Sequence, residues 1–297
     1  LKKLQEHQQK SIEAVDAMIL LFTKIRQNHS ISEPVISEPV ITRRDFLRKT
    51  LGIGGAVAIT IAERKMNAFH RLSGILFDKS IFGSNEIHKV PIKGVLLTID
   101  DGPAMHNRKK DLRMQEEEKY FDIQEGMEIL RMFFTQLSKN NYPAIFFWVG
   151  KRLDIALRNA AYRKLIIQLI RSGFTIGNHS YSHKPFSTLS IKKIMEEIDQ
   201  TDSLIEKAYE MAGVQRKLKL LRFPYGDRPS FFDRGEVYKA IKDREYKIMF
   251  WSKDTKDWEK TSTIENVQAG ISGLHNGDIL LLHERHKTVK EFLEPIC

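Results

Sequence analysis

The sequence predicts an α/β barrel built on parallel strands, and three observations predict it. From about residue 90 onward, short apolar runs alternate with longer segments of helical periodicity. The runs are apolar throughout, as expected of strands covered on both faces, and do not alternate with polar residues. Polar residues capable of chemistry gather at the carboxyl end of one run after another, the face on which such barrels carry their sites.

The first run, within Lys93–Asp100, reads Gly-Val-Leu-Leu-Thr-Ile and ends in two aspartates. Ile123–Leu137 has helical spacing, and Pro143–Val149 (Ala-Ile-Phe-Phe-Trp-Val) is the next strand. A helix over Arg158–Ser172 stops at Gly173, and strand Phe174–Asn178 follows. Ser190 is placed to cap a helix that runs to Ala212, with Gly213 behind it. Strand Lys219–Phe223, helix Gly235–Arg244, strand Tyr246–Trp251, helix Thr263–Leu274 and strand Asp278–Leu282 complete the alternation. No candidate strand follows the last of these, so the sequence predicts six strands.

The N-terminal third reads differently. Residues 1–41 comprise a helix, with Ile12, Val15, Ile19 and Phe22 at helical spacing, and an extended linker. The linker repeats Ile-Ser-Glu-Pro-Val, and each proline restricts the residue before it. Residues 42–62 follow as Thr42-Arg43-Arg44-Asp45-Phe46-Leu47 and then an uncharged, Gly- and Ala-rich run over 51–62. A basic pair before a short apolar run has the form of a secretory signal, and Arg-Arg-x-Phe-Leu that of a twin-arginine signal. The expectation is export to the periplasm or cell envelope, with membrane attachment through 51–62 if the segment stays uncleaved. Residues 63–89 connect it to a catalytic domain over 90–297.

The net charge is +10 and the pI about 9.5. The basic residues are interspersed with acids and no basic run alternates with aromatics, which argues against nucleic acid and for a basic surface suited to an anionic polymer. The single cysteine, Cys297, excludes an internal disulfide framework and a thiolate metal site.

Four segments and a fifth short one carry the chemistry: Thr98-Ile99-Asp100-Asp101-Gly102-Pro103, His179-Ser180-Tyr181-Ser182-His183, Arg222-Phe223-Pro224-Tyr225-Gly226, Asp254-Thr255-Lys256-Asp257-Trp258 and Leu282-His283. His179 and His183 lie four apart, a spacing at which two imidazoles on one helical turn reach one ion at about 2.0–2.2 Å. Either this pair or the Asp100-Asp101 pair alone also occurs by coincidence, as a surface pair or a turn. Together they offer His₂Asp ligation with positions left for water and substrate. Zinc is the first choice of metal for such a set, with cobalt and nickel as alternatives. Arg222 offers a fork to a carboxylate. His283, paired with a carboxylate such as Asp254, can be held protonated as a general acid. Trp258 suits either a sugar ring or rim packing.

The five segments in this order resemble the polysaccharide deacetylase (NodB-like carbohydrate esterase) family, whose pattern runs Thr-Phe-Asp-Asp-Gly-Pro, His-Ser/Thr-x-x-His, Arg-x-Pro-Tyr/Phe, Asp-x-x-Asp-Trp and Leu-x-His. The resemblance covers residues 90–297 and implies a deformed (β/α)₇ barrel, here truncated before its last strand, which would leave it open with an exposed edge. It implies Asp100 as catalytic base and Asp101, His179 and His183 as metal ligands. It also implies Arg222 as the residue orienting the base, the backbone N–H near Tyr225 as oxyanion donor, and Asp254 as the group that tunes the acid His283. Ile99 stands where the family has Phe, and the charged stretch His106–Lys119 is longer than the family's loop and would overhang the cleft.

The function expected is metal-dependent removal of acetyl groups from an N-acetylglucosamine polysaccharide, peptidoglycan or chitin-like. An O-acetyl xylan esterase is the neighbouring reading, since amide and ester pass through the same kind of tetrahedral intermediate. A non-catalytic glycan-binding relative is the reading from another class.

Overall fold

A computed structural model describes residues 86–104, 106–107, 121–140, 142–259 and 261–293. The expected N-terminal helix, linker and export segment, residues 63–85, 108–119 and Cys297 lie outside the described residues. Among the described residues no helix is long and apolar enough to cross a membrane.

The apolar runs form a parallel sheet that curls into a half-barrel with helices packed around it. Its strands are β1 (Glu86–Ile87), β2 (Leu96–Gly102), β5 (Ala144–Trp148), β6 (Thr175–Asn178), β7 (Leu220–Leu221), β8 (Lys247–Met249), β9 (Lys253–Asp254) and β10 (Ile279–His283). They are ordered β1-β8-β7-β6-β5-β2-β10-β9. A separate antiparallel ribbon pairs β3 (His106–Asn107) with β4 (Phe121–Asp122), so the base of the charged stretch is a hairpin.

The central strands of the sheet are buried, and their two faces serve different cores. Leu97, Ile99, Phe146, Trp148, Leu280 and Leu282 face the helices, whereas Leu96, Ile145, Phe147, Leu220, Met249 and Ile279 fill the interior. This period of two carries Thr98, Arg222 and His283 to the interior as well. Register does the rest: Asp100 lies opposite His283, Trp148 opposite Asn178, and Asn178 opposite Leu221. The residues that end each strand therefore meet at one level.

The helices are α1 (Ile123–Lys139), α2 (Gly150–Arg158), α3 (Ala160–Arg171), α4 (Ile191–Ala212), α5 (Arg234–Asp243) and α6 (Ile264–Ile271). Several of them start on a capping side chain: Asp122 accepts from Gln124 and Glu125 N–H, Ser190 accepts from Lys193 N–H, and Thr263 with Asn266 forms a capping box. Gly213 ends α4 in the left-handed region, at φ 63°.

Two sequence expectations change. The single helix expected over Arg158–Ser172 is the second of two, because Asn159 ends α2 and caps α3 through Ala161 and Tyr162 N–H. The start of α2 carries no capping side chain; Gly150 and Lys151 N–H donate instead to the carbonyls of Ser180 and Tyr181. The expected open edge is also bridged. β8 pairs with β1 and β7, while β9, four residues further along the same chain segment, pairs with β10. Lys247–Asp254 thus spans from one end of the sheet to the other. The bond from Val90 N–H to the Gly277 carbonyl (2.8 Å) ties the segment after β1 to the start of β10.

Replacing Asn159 with Ala removes the acceptor that starts α3. It should lower unfolding stability by about 0.5–2 kcal/mol, read from the urea midpoint, without changing the denaturant slope.

Candidate active site

The site is built at the carboxyl ends of β2, β6, β7 and β10. Asp100 and Asp101 lie near the end of β2, where its register with β5 shifts between Ile99 and Gly102. His179 follows β6 directly, and His183 comes one tight turn later. That turn is fixed by Ser180 N–H donating to Asn178 Oδ1 (2.9 Å) and His183 N–H donating to Ser180 Oγ (3.1 Å). Glu197 on α4 holds it from outside, accepting from Ser182 N–H (2.6 Å) and Ser182 Oγ (2.8 Å).

The three side chains expected to bind metal come together. One ligating atom each from Asp101, His179 and His183 lies within 4.8 Å of the others. His183 Nε2 is 3.0 Å and His179 Nε2 3.7 Å from Asp101 Oδ1, and the two Nε2 atoms are 3.3 Å apart. The donor set fits a divalent ion in charge state too. His179 Nδ1 lies 2.8 Å from the Arg222 carbonyl, an acceptor only, so Nδ1 carries the proton and Nε2 keeps its lone pair for a ligand. Burial pushes His179 down to about 4 against the opposing pull of Asp100, so it is neutral at physiological pH. Burial pushes Asp101 up, but the hydrogen bond and charge of His183, with His179 and His283, outweigh it and hold the carboxyl below the usual range.

Asp100 is buried beside this triad, its Oδ2 3.6 Å from His179 Nε2. Its Oδ1 accepts from Arg222 Nη1 at 2.8 Å, as the expected role of Arg222 requires. The guanidinium is fully buried and also donates to Thr98 Oγ1 and to the Met249 and Phe250 carbonyls. Burial lowers its pKa, offset in part by Asp100. The sequence names Thr98 within its segment but gives it no role, because a threonine inside an apolar strand looks like any β-former.

Tyr225 stands at the mouth, 68% exposed, with its hydroxyl 3.2 Å from His183 Nδ1. The turn beneath it is closed by Gly226 and Asp227 N–H donating to the Phe223 and Pro224 carbonyls. Trp258 is 45% exposed on the loop after β9, and its carbonyl accepts from Arg285 Nη1 (3.2 Å).

One assignment is corrected. Asp254 does not face His283; its Oδ1 accepts from Lys256 N–H (2.8 Å) within its own loop. The partner is Asp257, in the same segment and three residues on. Its Oδ1 lies 2.7 Å from His283 Nδ1, while Oδ2 accepts from His283 N–H (2.8 Å) and Thr288 Oγ1 (2.6 Å). The reason is reach: Asp254 is paired in register with Leu281, two residues short of His283, and only the loop beyond β9 turns back over the strand end. The sequence held both aspartates and no local signal to choose between them. Burial alone would lower the pKa of His283; the hydrogen bond and charge of Asp257 outweigh that and raise it above its ordinary 6.5.

The sequence profile of the family described as polysaccharide deacetylase matches residues 88–248. The chain belongs to the polysaccharide deacetylase family. Among curated relatives, it is 26% identical over 204 residues to the peptidoglycan-N-acetylmuramic acid deacetylase PdaC of Bacillus subtilis, covering 69% of this chain and 35% of that one. It is 26% identical over 165 residues to a peptidoglycan-N-acetylglucosamine deacetylase of Bacillus cereus, covering 55% of this chain and 54% of the relative. The chain thus spans about a third to a half of these relatives. Among solved structures, a CE4 family pseudoenzyme from Bacillus anthracis superposes with TM-score 0.52 at 23% identity, over 70% of this chain and 62% of that one, a likeness of fold. Asp257 and His283 lie beyond the profile match.

The Asp257–His283 pair makes a pH prediction. His283 is protonated below its raised pKa and loses the proton above it, so an activity that uses it as an acid falls on the alkaline side. Asp257→Asn removes the charge that favours imidazolium, and the alkaline limb of kcat should move down by about one pH unit or more. Asp254→Asn should leave the limb in place.

Proposed function

We propose that this chain is a metal-dependent deacetylase of an N-acetylglucosamine-containing polysaccharide, with peptidoglycan as the preferred substrate class. The observation that carries the reading is the convergence of a three-ligand set, a buried carboxylate clamped by arginine, and a carboxylate-paired histidine on the adjacent strand. The names of the curated relatives favour peptidoglycan over chitin or xylan.

Asp101, His179 and His183 would hold a divalent ion, zinc by ligand type, which supplies Lewis acidity at the carbonyl oxygen and lowers the pKa of water. Asp100 accepts the proton of the attacking water, and Arg222 keeps its carboxylate fixed. A backbone N–H at Tyr225 donates to the oxyanion of the tetrahedral intermediate. His283, held by Asp257, then protonates the departing amine, so that acetate and a free amino sugar leave. The side faces of Tyr225 and Trp258 suit stacking against sugar rings.

Asp100→Asn keeps the shape but cannot take the proton. It should retain zinc and lose about 10²–10⁴-fold in kcat, whereas Asp101→Ala should lose zinc and activity together. Both are read by acetate release from peptidoglycan, chitooligosaccharides and acetylxylan, with bound zinc quantified alongside. Release from acetylxylan alone would replace the substrate class. Glycan binding without acetate from any of the three would make the chain a binding relative.

We further propose that the protein is exported to the cell envelope through Arg43-Arg44 and the apolar run after them, the compartment in which peptidoglycan is met. Arg43-Arg44→Lys-Lys should abolish accumulation outside the cytoplasm in a fractionation assay; unchanged export would remove the twin-arginine assignment.

A further inference from the structure

On the helix-facing side of the sheet, behind the triad, sits a carboxylate that this chemistry does not use. Glu284 is 4% exposed and follows His283 directly. Its Oε1 accepts from Ala104 N–H at 2.7 Å and its Oε2 from the Trp148 indole N–H at 2.9 Å. Its own N–H donates to the Asp100 carbonyl at 2.9 Å. Gly102 passes directly over the carboxylate and the indole: a Cβ there would fall 2.0 Å from Glu284 Oε2 and 2.3 Å from Trp148. Among the described residues Glu284 makes no salt bridge, and the charge of Arg152 opposes the effect of its burial without cancelling it.

A carboxylate is expensive to bury, and this one is pushed up to about 7 by its surroundings. What it provides that an apolar side chain cannot is two acceptor atoms at a fixed separation. One grips the segment after Asp101, the other the end of the neighbouring strand. That segment needs the grip. Asp101 is in the left-handed region at φ 68°, a conformation a non-glycine residue keeps only under external restraint. The other restraints are Val149 N–H on the Gly102 carbonyl (2.7 Å), the Tyr162 hydroxyl on the Ala104 carbonyl (2.8 Å) and Arg152 on the Asp101 carbonyl.

We propose that Glu284 is a positioning residue that clamps the Asp100–Ala104 turn to Trp148 and thereby holds the Asp101 carboxylate in place for a divalent ion. This rests on the reading of Asp101 as a ligand. Glu284→Gln keeps the volume but turns an amide N–H toward one of two N–H donors, so one grip is lost. Trp148→Phe removes one of the same bonds from the other side.

The test is calorimetric titration of the full chain with zinc chloride alone, with circular dichroism to verify folding. Glu284→Gln should weaken zinc binding by about 10–100-fold and lower kcat while leaving KM within twofold. Trp148→Phe should weaken zinc binding in the parent and add little in the Glu284→Gln background, since both remove one clamp. Asp101→Ala separates the two readings. If it loses zinc while folded Glu284→Gln binds as the parent does, the clamp is overturned and the ligand set stands. If Asp101→Ala binds zinc normally, the ligand assignment falls and the clamp with it. Fully additive losses also overturn it. Should Glu284→Gln not fold, Trp148→Phe decides alone: weakened zinc binding supports the clamp, and parental binding overturns it.

Discussion

The buried guanidinium of Arg222 is the interaction on which the site's geometry depends. Its Nη1 donates to Asp100 and Thr98, its Nε and Nη2 to the successive carbonyls of Met249 and Phe250 at the end of β8, and it lies over the Phe147 ring at 4.2 Å. The same residue's backbone N–H donates to the Asn178 carbonyl, and its own carbonyl orients His179. One side chain with its peptide group therefore ties β2, β6, β7 and β8 together beneath the ligands. A charge removed from water so completely is tolerable only when its donors are used, and here all three guanidinium nitrogens are. A lysine, with one point charge and no planar fork, could not bind strand carbonyls and the base at once.

Around that anchor the backbone is held in conformations it would not choose. Asp101, Ser180, His183 and Tyr225 all have positive φ, between 59° and 68°, and all belong to the site. Each such residue costs about 1–3 kcal/mol and persists only where its surroundings over-determine it. Here those surroundings can be named: Glu197 behind the histidine turn, the first N–H groups of α2 on Ser180 and Tyr181, and Glu284 with Tyr162 behind the aspartate turn. The strain goes into aiming side chains from short loops into a single volume.

Three environments then set three charge states within a few residues. Burial keeps His179 neutral, the hydrogen bond of His183 favours the ionised form of Asp101, and Asp257 favours the proton on His283. Two histidines on one cleft are driven in opposite directions, which is how their surroundings can set groups of one type to different tasks.

Six of the eight strands of the sheet, the caps at Ser190 and Gly213, the Asp101–His179–His183 cluster, and Asp100 with its arginine were legible in the sequence, because each is announced locally by an apolar run, a capping residue or a spaced motif. The break at Asn159 was hidden because α2 begins without a capping side chain and takes its partners from a loop thirty residues away. The bridged sheet edge was hidden because one short segment, Lys247–Asp254, pairs at its two ends with different strands. Asp257 rather than Asp254, Thr98 beneath Arg222, and Glu284 behind Asp101 were likewise decided only in three dimensions. By itself the sequence determined which residue types stand at the strand ends, and so the chemistry available. The tertiary structure decided which of them touch, because contact depends on register between distant strands and on the reach of side chains from loops, and neither is encoded within any one segment.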